Sequence, residues 1–256
     1  MTGTRRAGSG RAAVLRTLVL LACVAAAWQA LYWTVGDVAL RSPLQTLAGT
    51  AELLGSGTFW PHLAETAKAF ALALAIAIAS GLLIGVALGF GRTLGEVFEP
   101  VLVAVYSVPK ITLYPILLLV FGLGMPAKVA FGAIHGVIPI ALFTLNAVRN
   151  VRPVLIKTAR VMRLGPLDLA LGILLPATLP EIFAGLRIGF ALTLIGTLLG
   201  EMFASQRGLG FLLMNAIGLH NVDLIMAVTF LIVAFAALVS GVLLEIDRSL
   251  QARAGR

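Results

Sequence analysis

Few residues in this chain are equipped to do chemistry, and their spacing argues against most kinds of it. The three histidines, His62, His135 and His220, lie far apart. None has metal-ligand spacing, so no metal site is expected. The single cysteine, Cys23, sits in an apolar run with no partner for an intramolecular disulfide. No G-x-x-x-x-G-K-[ST] loop is present to cradle nucleotide phosphates. No serine elbow, Cys-His pair or paired-carboxylate pattern stands out, so no catalytic residue is assigned and no cofactor is expected. What remains is charge in unusual places. Lys110 and Arg187 lie within or beside apolar stretches, where a cation is costly and tends to be functional. The competing reading for both is a side chain snorkelling from the inner end of a span. A third feature is the basic, helix-prone stretch KTARVMRLGPLDLALGILLP, Lys157 to Pro176.

The elements that must position these residues follow from composition. The chain is 60% hydrophobic and 12% charged over 256 residues. A soluble domain carries about 25% charged residues, so a polytopic membrane protein is expected. Each crossing needs about 20 apolar residues. Six candidates fit: Thr17 to Val35, Ala64 to Phe90, Val101 to Phe121, Ala127 to Val148, Ile182 to Phe203 and Leu224 to Leu244. Pro109, Lys110 and Pro115 make the third the least regular. The fold class is therefore all-α with about six transmembrane helices. Its parts are an N-terminal basic tail (1–16), a single membrane domain (17–248) with an inner loop (149–181), and a C-terminal tail (249–256). The first span has a basic start, but its apolar run exceeds the ~7–15 residues of a signal-peptide core, so a retained anchor is preferred.

Lysine and arginine placement sets the orientation. With the N-terminus inside, Arg5, Arg6, Arg11, Arg16, Arg92, Arg149, Arg152, Lys157, Arg160, Arg163, Arg248, Arg253 and Arg256 are inside. Only Arg41, Lys128 and Arg207 fall outside. Both termini are then cytoplasmic. The net charge of +8 reflects this placement and not a nucleic-acid surface. On the outer face, Ser42 reads as an N-cap with Pro43 at the first helical position. The outer link from Ala204 to Val222 is too apolar for a free loop. Gly81, Gly85 and Gly89 recur at four-residue spacing and mark a helix-packing seam. Glu201 is expected to pair with Arg207 or to reach water.

On a helical wheel Lys157, Arg160 and Arg163 share one face of the inner loop, with Leu155, Ala159 and Met162 opposite. Gly165 is expected to end this helix in the left-handed conformation, and Pro166 to start the next. Leu167 to Leu175 is expected to be buried against the bundle, and Pro176 and Pro180 to bracket a turn into the fifth span. From the wheel alone, an interfacial helix on anionic lipid and a docking element for a soluble partner are both open.

The segment from Lys157 to Met202 resembles the EAA loop of ABC-importer permeases. Leu175-Pro176, LPEIFAGLRIG (Leu179 to Gly189) and GEM (Gly200 to Met202) carry the likeness. It extends to SGTFWPHL (Ser56 to Leu63) and SVPKITLYPILLLVFGLG (Ser107 to Gly124), which are similar to the nitrate/sulfonate/taurine branch. Counting back from Leu175-Pro176 puts the loop's E-A-A on Lys157, Thr158 and Ala159, and its glycine on Arg163. Gly165 stands two residues later.

The resemblance implies a type I importer permease in a bacterial inner membrane. A coupling loop of Lys157, Thr158, Ala159, Arg160, Arg163, Gly165, Pro166, Leu175 and Pro176 would meet cytoplasmic ATPase subunits. A second permease subunit, most simply a copy of this chain, would complete the pathway, and an extracytoplasmic substrate-binding protein would deliver the solute. The chain itself would not be an enzyme. Lys110, Tyr114 and Arg187 are the candidate pathway residues, for a small solute such as an organic sulfonate, nitrate or similar anion. Tyr114 and His135 also read as packing residues. The rival readings are a gradient-driven secondary transporter or channel, and a membrane anchor without transport.

Overall fold

A computed structural model describes residues 6–254. For 6–14, Arg92, Arg160, Pro166, Ala204 and 253–254 it describes the backbone alone. Arg5 and Arg256 therefore lie outside the described residues, as do the side chains of Arg6, Arg11, Arg92, Arg160, Pro166 and Arg253. The helices in chain order are α1 (Arg6–Val35), α2 (Pro43–Gly55), α3 (Phe59–Phe90), α4 (Arg92–Ser107), α5 (Tyr114–Phe121), α6 (Met125–Arg149), α7 (Pro153–Val161), α8 (Pro166–Leu169), α9 (Leu175–Ala204), α10 (Leu209–Gly218) and α11 (Val222–Ala254). Five of these spans are long and apolar enough to cross a bilayer, and a bent pair, α4 with α5, supplies a sixth.

The core is a layer of three helices with α6 in the middle. Phe131, Ile140, Ala141 and Leu145 of α6 are fully buried. Small residues let its neighbours approach. On α3, Ala69, Ala73 and Ala77 are fully buried, and Gly81, Gly85 and Gly89 continue the same four-residue stripe toward the inner end. A Cβ added at Gly85 would stand 2.5 Å from Thr144 Cβ and 2.6 Å from the Ala141 carbonyl. Lipid tails are as apolar as leucine, so close van der Waals contact holds the helices together here, and glycine sets the distance. The seam expected from the glycine spacing is present.

The register of this seam decides the topology. Gly81 faces Ile140, Gly85 faces Thr144 and Gly89 faces Val148, so α3 and α6 run parallel. Near their first turns Glu65 and Lys128 meet at 2.9 Å. A chain that leaves α3 at the inner side must return to the outer side before α6 begins. The bent pair therefore crosses the membrane. Its halves, Thr93–Ser107 and Lys110–Phe121, are inclined by 86°. The cause is local: Val108 is extended (ψ 132°) ahead of Pro109, as a residue before proline prefers. A 3₁₀ turn, Lys110–Leu113, follows before helix resumes. Lys110 Nζ donates to the Tyr106 carbonyl at 3.0 Å, satisfying one of the acceptors the break exposes. The third span is thus broken at the residues that make its sequence irregular, Pro109 and Lys110.

Outside, Ser42 caps α2 in a full capping box: Gln45 N–H donates to Ser42 Oγ at 3.3 Å, and the Ser42 N–H donates to Gln45 Oε1 at 2.8 Å. The apolar outer link contains α10, packed between α9, α11 and α3.

Replacing Gly85 by leucine should cost about 3 kcal/mol or more, the upper range for overpacking. Thermal or SDS-titrated unfolding of the purified protein in detergent measures this. Gly241, with nothing within 4 Å of an added Cβ, should accept leucine with little change.

Candidate functional site

The inner loop departs from expectation in an instructive way. Helix α7 stops at Val161, and the residue in the left-handed conformation is Arg163, with φ +52°. Gly165 has no positive φ. The Leu164 N–H donates to the Ala159 carbonyl at 3.1 Å, the long reversed bond of a Schellman cap with Arg163 in the position usually held by glycine. Ala159 is 2% exposed and fixes one side of α7, while Lys157, Thr158 and Arg163 are exposed.

Past the cap, α8 starts at Pro166 as expected. It runs through a π-helical turn, Ala170–Leu174, directly into α9. Pro176 lies in the first turn of α9 and Pro180 inside it, so no turn separates them. Pro176 has no N–H to donate, and it stands just after the π-helical turn, where the helical hydrogen-bond register changes. The expected burial of Leu167 to Leu175 is not found within this chain: Leu167 is 74% exposed and Leu171 64%. Leu167 and Leu171 face outward, while Leu169, Ala170 and Leu174 turn toward the bundle. Between this segment and the inner ends of α3, α4 and α6 lies a cavity of about 690 Å³, bordered by Gly89, Glu96, Arg149, Ile156, Leu174 and Thr178. Arg149 and Glu99, 2.6 Å apart, tie α6 to α4 at its edge.

The three candidate pathway residues are not gathered into one cluster. Lys110, 9% exposed, holds the Tyr106 carbonyl and lies 5.0 Å from the centre of the Tyr106 ring. Among the described residues no carboxylate lies within salt-bridge distance of it. The Tyr114 hydroxyl donates to the Gly200 carbonyl at 2.7 Å, and its ring packs on Phe131 and Phe203. Arg187 faces Asp247 of α11 at 3.6 Å. It also borders a groove with Tyr106, Ser240 and Leu244. His135 Nδ1 lies 2.8 Å from the Phe131 carbonyl, a packing arrangement.

The densest charge cluster was not singled out by sequence reasoning. Lys128, counted as an outer-loop charge, has a side chain only 1% exposed. Its ammonium donates to Glu65 Oε1 at 2.9 Å, and to Ser205 Oγ and the Arg207 carbonyl at 3.3 Å each. Glu201 is fully buried and does not pair with the Arg207 side chain. It accepts from Thr66 Oγ1 at 2.7 Å and from the Gly210 N–H at 3.1 Å. Thr66 Oγ1 accepts the Leu209 N–H at 2.7 Å, and His62 Nδ1 accepts the Gly208 N–H at 3.1 Å. Three consecutive amides opening α10 are thus closed by α3 and α9. The sequence signal was a glutamate at the end of an apolar span followed closely by Gly-Leu-Gly, whose amides need acceptors.

On the outer surface Arg41 bridges Asp223 at 2.5 Å and Asp37 at 2.9 Å, joining the α1–α2 link to α11. The Arg41 guanidinium, with Gln45 and Tyr32, holds the Asp37 carboxyl below its ordinary range. This contribution is present above the ordinary carboxylate pKa and is lost as pH falls through the lowered one. Asp37 is solvent-accessible, so salt screens the effect.

Comparison with known proteins places these features. The family described as binding-protein-dependent transport system inner membrane component matches residues 77–254. The chain is 32% identical to a probable ABC transporter permease protein of Haemophilus influenzae, over 75% of this chain and 76% of that protein. It is 29% identical to the taurine transport system permease protein of Escherichia coli, over 77% and 75%. It is 28% identical to a putative aliphatic sulfonates transport permease protein of Bacillus subtilis, over 83% and 78%. Its fold is shared with a chain of the inward-facing methionine ABC transporter MetNI (TM-score 0.64, 19% identity), which covers 75% of this chain and 97% of the other.

A non-glycine residue in the left-handed region costs about 1 kcal/mol. Arg163→Gly should therefore raise the unfolding midpoint of the purified protein by a degree or more, roughly, with insertion unchanged. Arg163→Val should lower it.

Proposed function

The chain belongs to the family of binding-protein-dependent transport system inner membrane components, and from that premise we propose how its residues carry a solute and draw on ATP. It is a multi-pass inner-membrane permease of an ABC importer. The substrate we assign is a small anion of the sulfonate or nitrate class. The likeness to permeases named for taurine and aliphatic sulfonates supports this, as does a buried lysine at the break of the third span. Lys110 would meet the anion, with Tyr114 shaping the wall behind it and Arg187 bordering the inner stretch of the path. ATP hydrolysis is assigned to separate cytoplasmic subunits, because this chain carries no phosphate loop. A second copy of the chain and an extracytoplasmic binding protein complete the proposed assembly. Residues 17–248 form its membrane domain, with 149–181 as the coupling segment and 1–16 and 249–256 as tails.

The observation that carries the coupling role is the geometry of α7 to α9. A short helix with exposed Lys157 and Thr158 is locked by the cap at Arg163. Gly165 and Pro166 link it to α8, and Leu175 and Pro176 begin α9 without a flexible joint. A push on α7 then reaches α9 as a rigid displacement, which is what a two-state transporter needs from its motor.

Proteoliposomes containing the chain, its ATPase and its binding protein should take up the anion only with ATP. Uptake by the chain alone, driven by an ion gradient, would sink the importer reading. Reversing the charge of Lys157, Arg160 and Arg163 together should leave the protein inserted but abolish ATP-driven uptake. Unaltered uptake in that variant would remove the basic face from the coupling mechanism. Lys110→Met should weaken anion uptake about tenfold, the scale of one lost charged contact, and Lys110→Arg should retain more of it. Equal uptake by all three forms would take Lys110 out of the path.

A further inference from the structure

The buried cluster around Lys128 has a feature that static packing does not explain. A lysine ammonium has three protons, and here all three are used, on Glu65, Ser205 and the Arg207 carbonyl. Glu201 Oε1 lies 3.6 Å from the same ammonium. It is buried and receives no hydrogen bond, although its twin Oε2 holds both Thr66 and Gly210. A buried carboxylate oxygen without a donor is costly. Here the donor that would satisfy it is next to it, spent on a surface turn.

That turn, residues 205–208, separates the cluster from an open outer cavity of about 720 Å³ bordered by Glu65, Gly124, Ser205, Arg207, Phe211 and Asn215. It is joined to α10 through Gly208, whose φ of +127° only glycine adopts readily. Beyond Gly208, α10 is pinned by Thr66 and Glu201, and the His62 ring stacks on Phe211 with centroids 5.9 Å apart. Because the Gly208 N–H is itself held by His62 Nδ1 at 3.1 Å, the part that can swing while α10 stays docked is residues 205–207. If they leave, Lys128 loses two bonds of 3.3 Å to neutral acceptors. Its existing 3.6 Å contact with Glu201 Oε1 can then shorten into a charge-assisted hydrogen bond, and such bonds are roughly twice as strong as neutral ones.

We propose that Lys128 latches residues 205–207 of the turn at the outer mouth in this state and hands over to Glu201 when they swing into the outer cavity, making Lys128 and Glu201 positioning residues for the outer gate. The proposal rests on the importer reading. It adds a gate on the face opposite the ATPase.

The test uses the reconstituted complex with Cys23→Ser and spin labels at Gln206→Cys on the turn and Trp60→Cys on α3, both exposed positions. In the parent complex the 206–60 distance distribution should shift between the nucleotide-free and ATP-trapped states. Lys128→Met should populate the displaced distance in both states. Glu201→Gln keeps an acceptor for Thr66 and Gly210 but removes the charge awaiting Lys128. It should lower ATP-driven uptake about tenfold, within the usual range of coupling energies, while assembly and melting temperature stay near parental values. A merely structural role would instead lower melting temperature and uptake together. Should Lys128→Met fail to assemble, the parent distances decide alone. A turn that stays fixed while the parent complex imports the anion overturns the latch. A parent complex that imports nothing with ATP overturns the importer reading instead.

Discussion

In a bilayer, α6 gains nothing from hiding apolar side chains, because lipid tails accept them as readily as protein does. What holds it between α3 and α9 is contact at short range, and that requires small residues where the backbones meet. The alanine and glycine stripe on α3 supplies one wall. On the other, a Cβ added at Gly189 would collide with the Ile140 side chain, and one added at Gly200 would come within 3.0 Å of the Lys128 backbone. These contacts fix the depth of α6 as well as its distance. Depth in turn brings Lys128 level with Glu65 and Glu201, so that a buried cation meets two carboxylates.

The same contacts make α3, α6 and α9 behave as one body. A 30-residue helix such as α9 is about 45 Å long at 1.5 Å per residue. It begins at the inner loop and ends one turn beyond Glu201, at Ala204. In the proposed coupling, force applied at α7 crosses only the short link 162–165, capped at Arg163, before it enters the continuous helix that leads to the outer cluster. The inner loop and the outer cluster are thus joined by one continuous helical stretch although they lie at opposite ends of the bundle.

Much of this was legible in the residues. Apolar runs of span length placed the crossings, lysine and arginine placement oriented them, and Gly81, Gly85 and Gly89 marked the seam. Ser42 and Pro43 opened α2 as their types required. What escaped has a common cause: it depends on residues distant in the chain. Nothing near Lys128 in sequence reveals that Glu65 and Glu201 will surround it, so it read as a surface charge. Local propensity also misled at Gly165. A left-handed cap favours glycine, but its position is set by where α7 must stop, and Arg163 occupies that place. Leu167 to Leu175 read as core because they are apolar, but in this chain Leu167 and Leu171 face outward.

The break at Pro109 and Lys110 bears on how the protein enters the membrane. A lysine near the centre of a span costs about 3 kcal/mol during insertion, and this segment also carries Pro109 between two helices of 16 and 8 residues and Pro115 inside the second. Emerging from the ribosome alone, it is a poor candidate for lateral release into lipid. Its first half can pack on α3, but its second half finds its cover only once α6 has been made, when Phe131 can cover Tyr114. The second half of the third crossing thus completes its packing only against a helix that follows it in the chain.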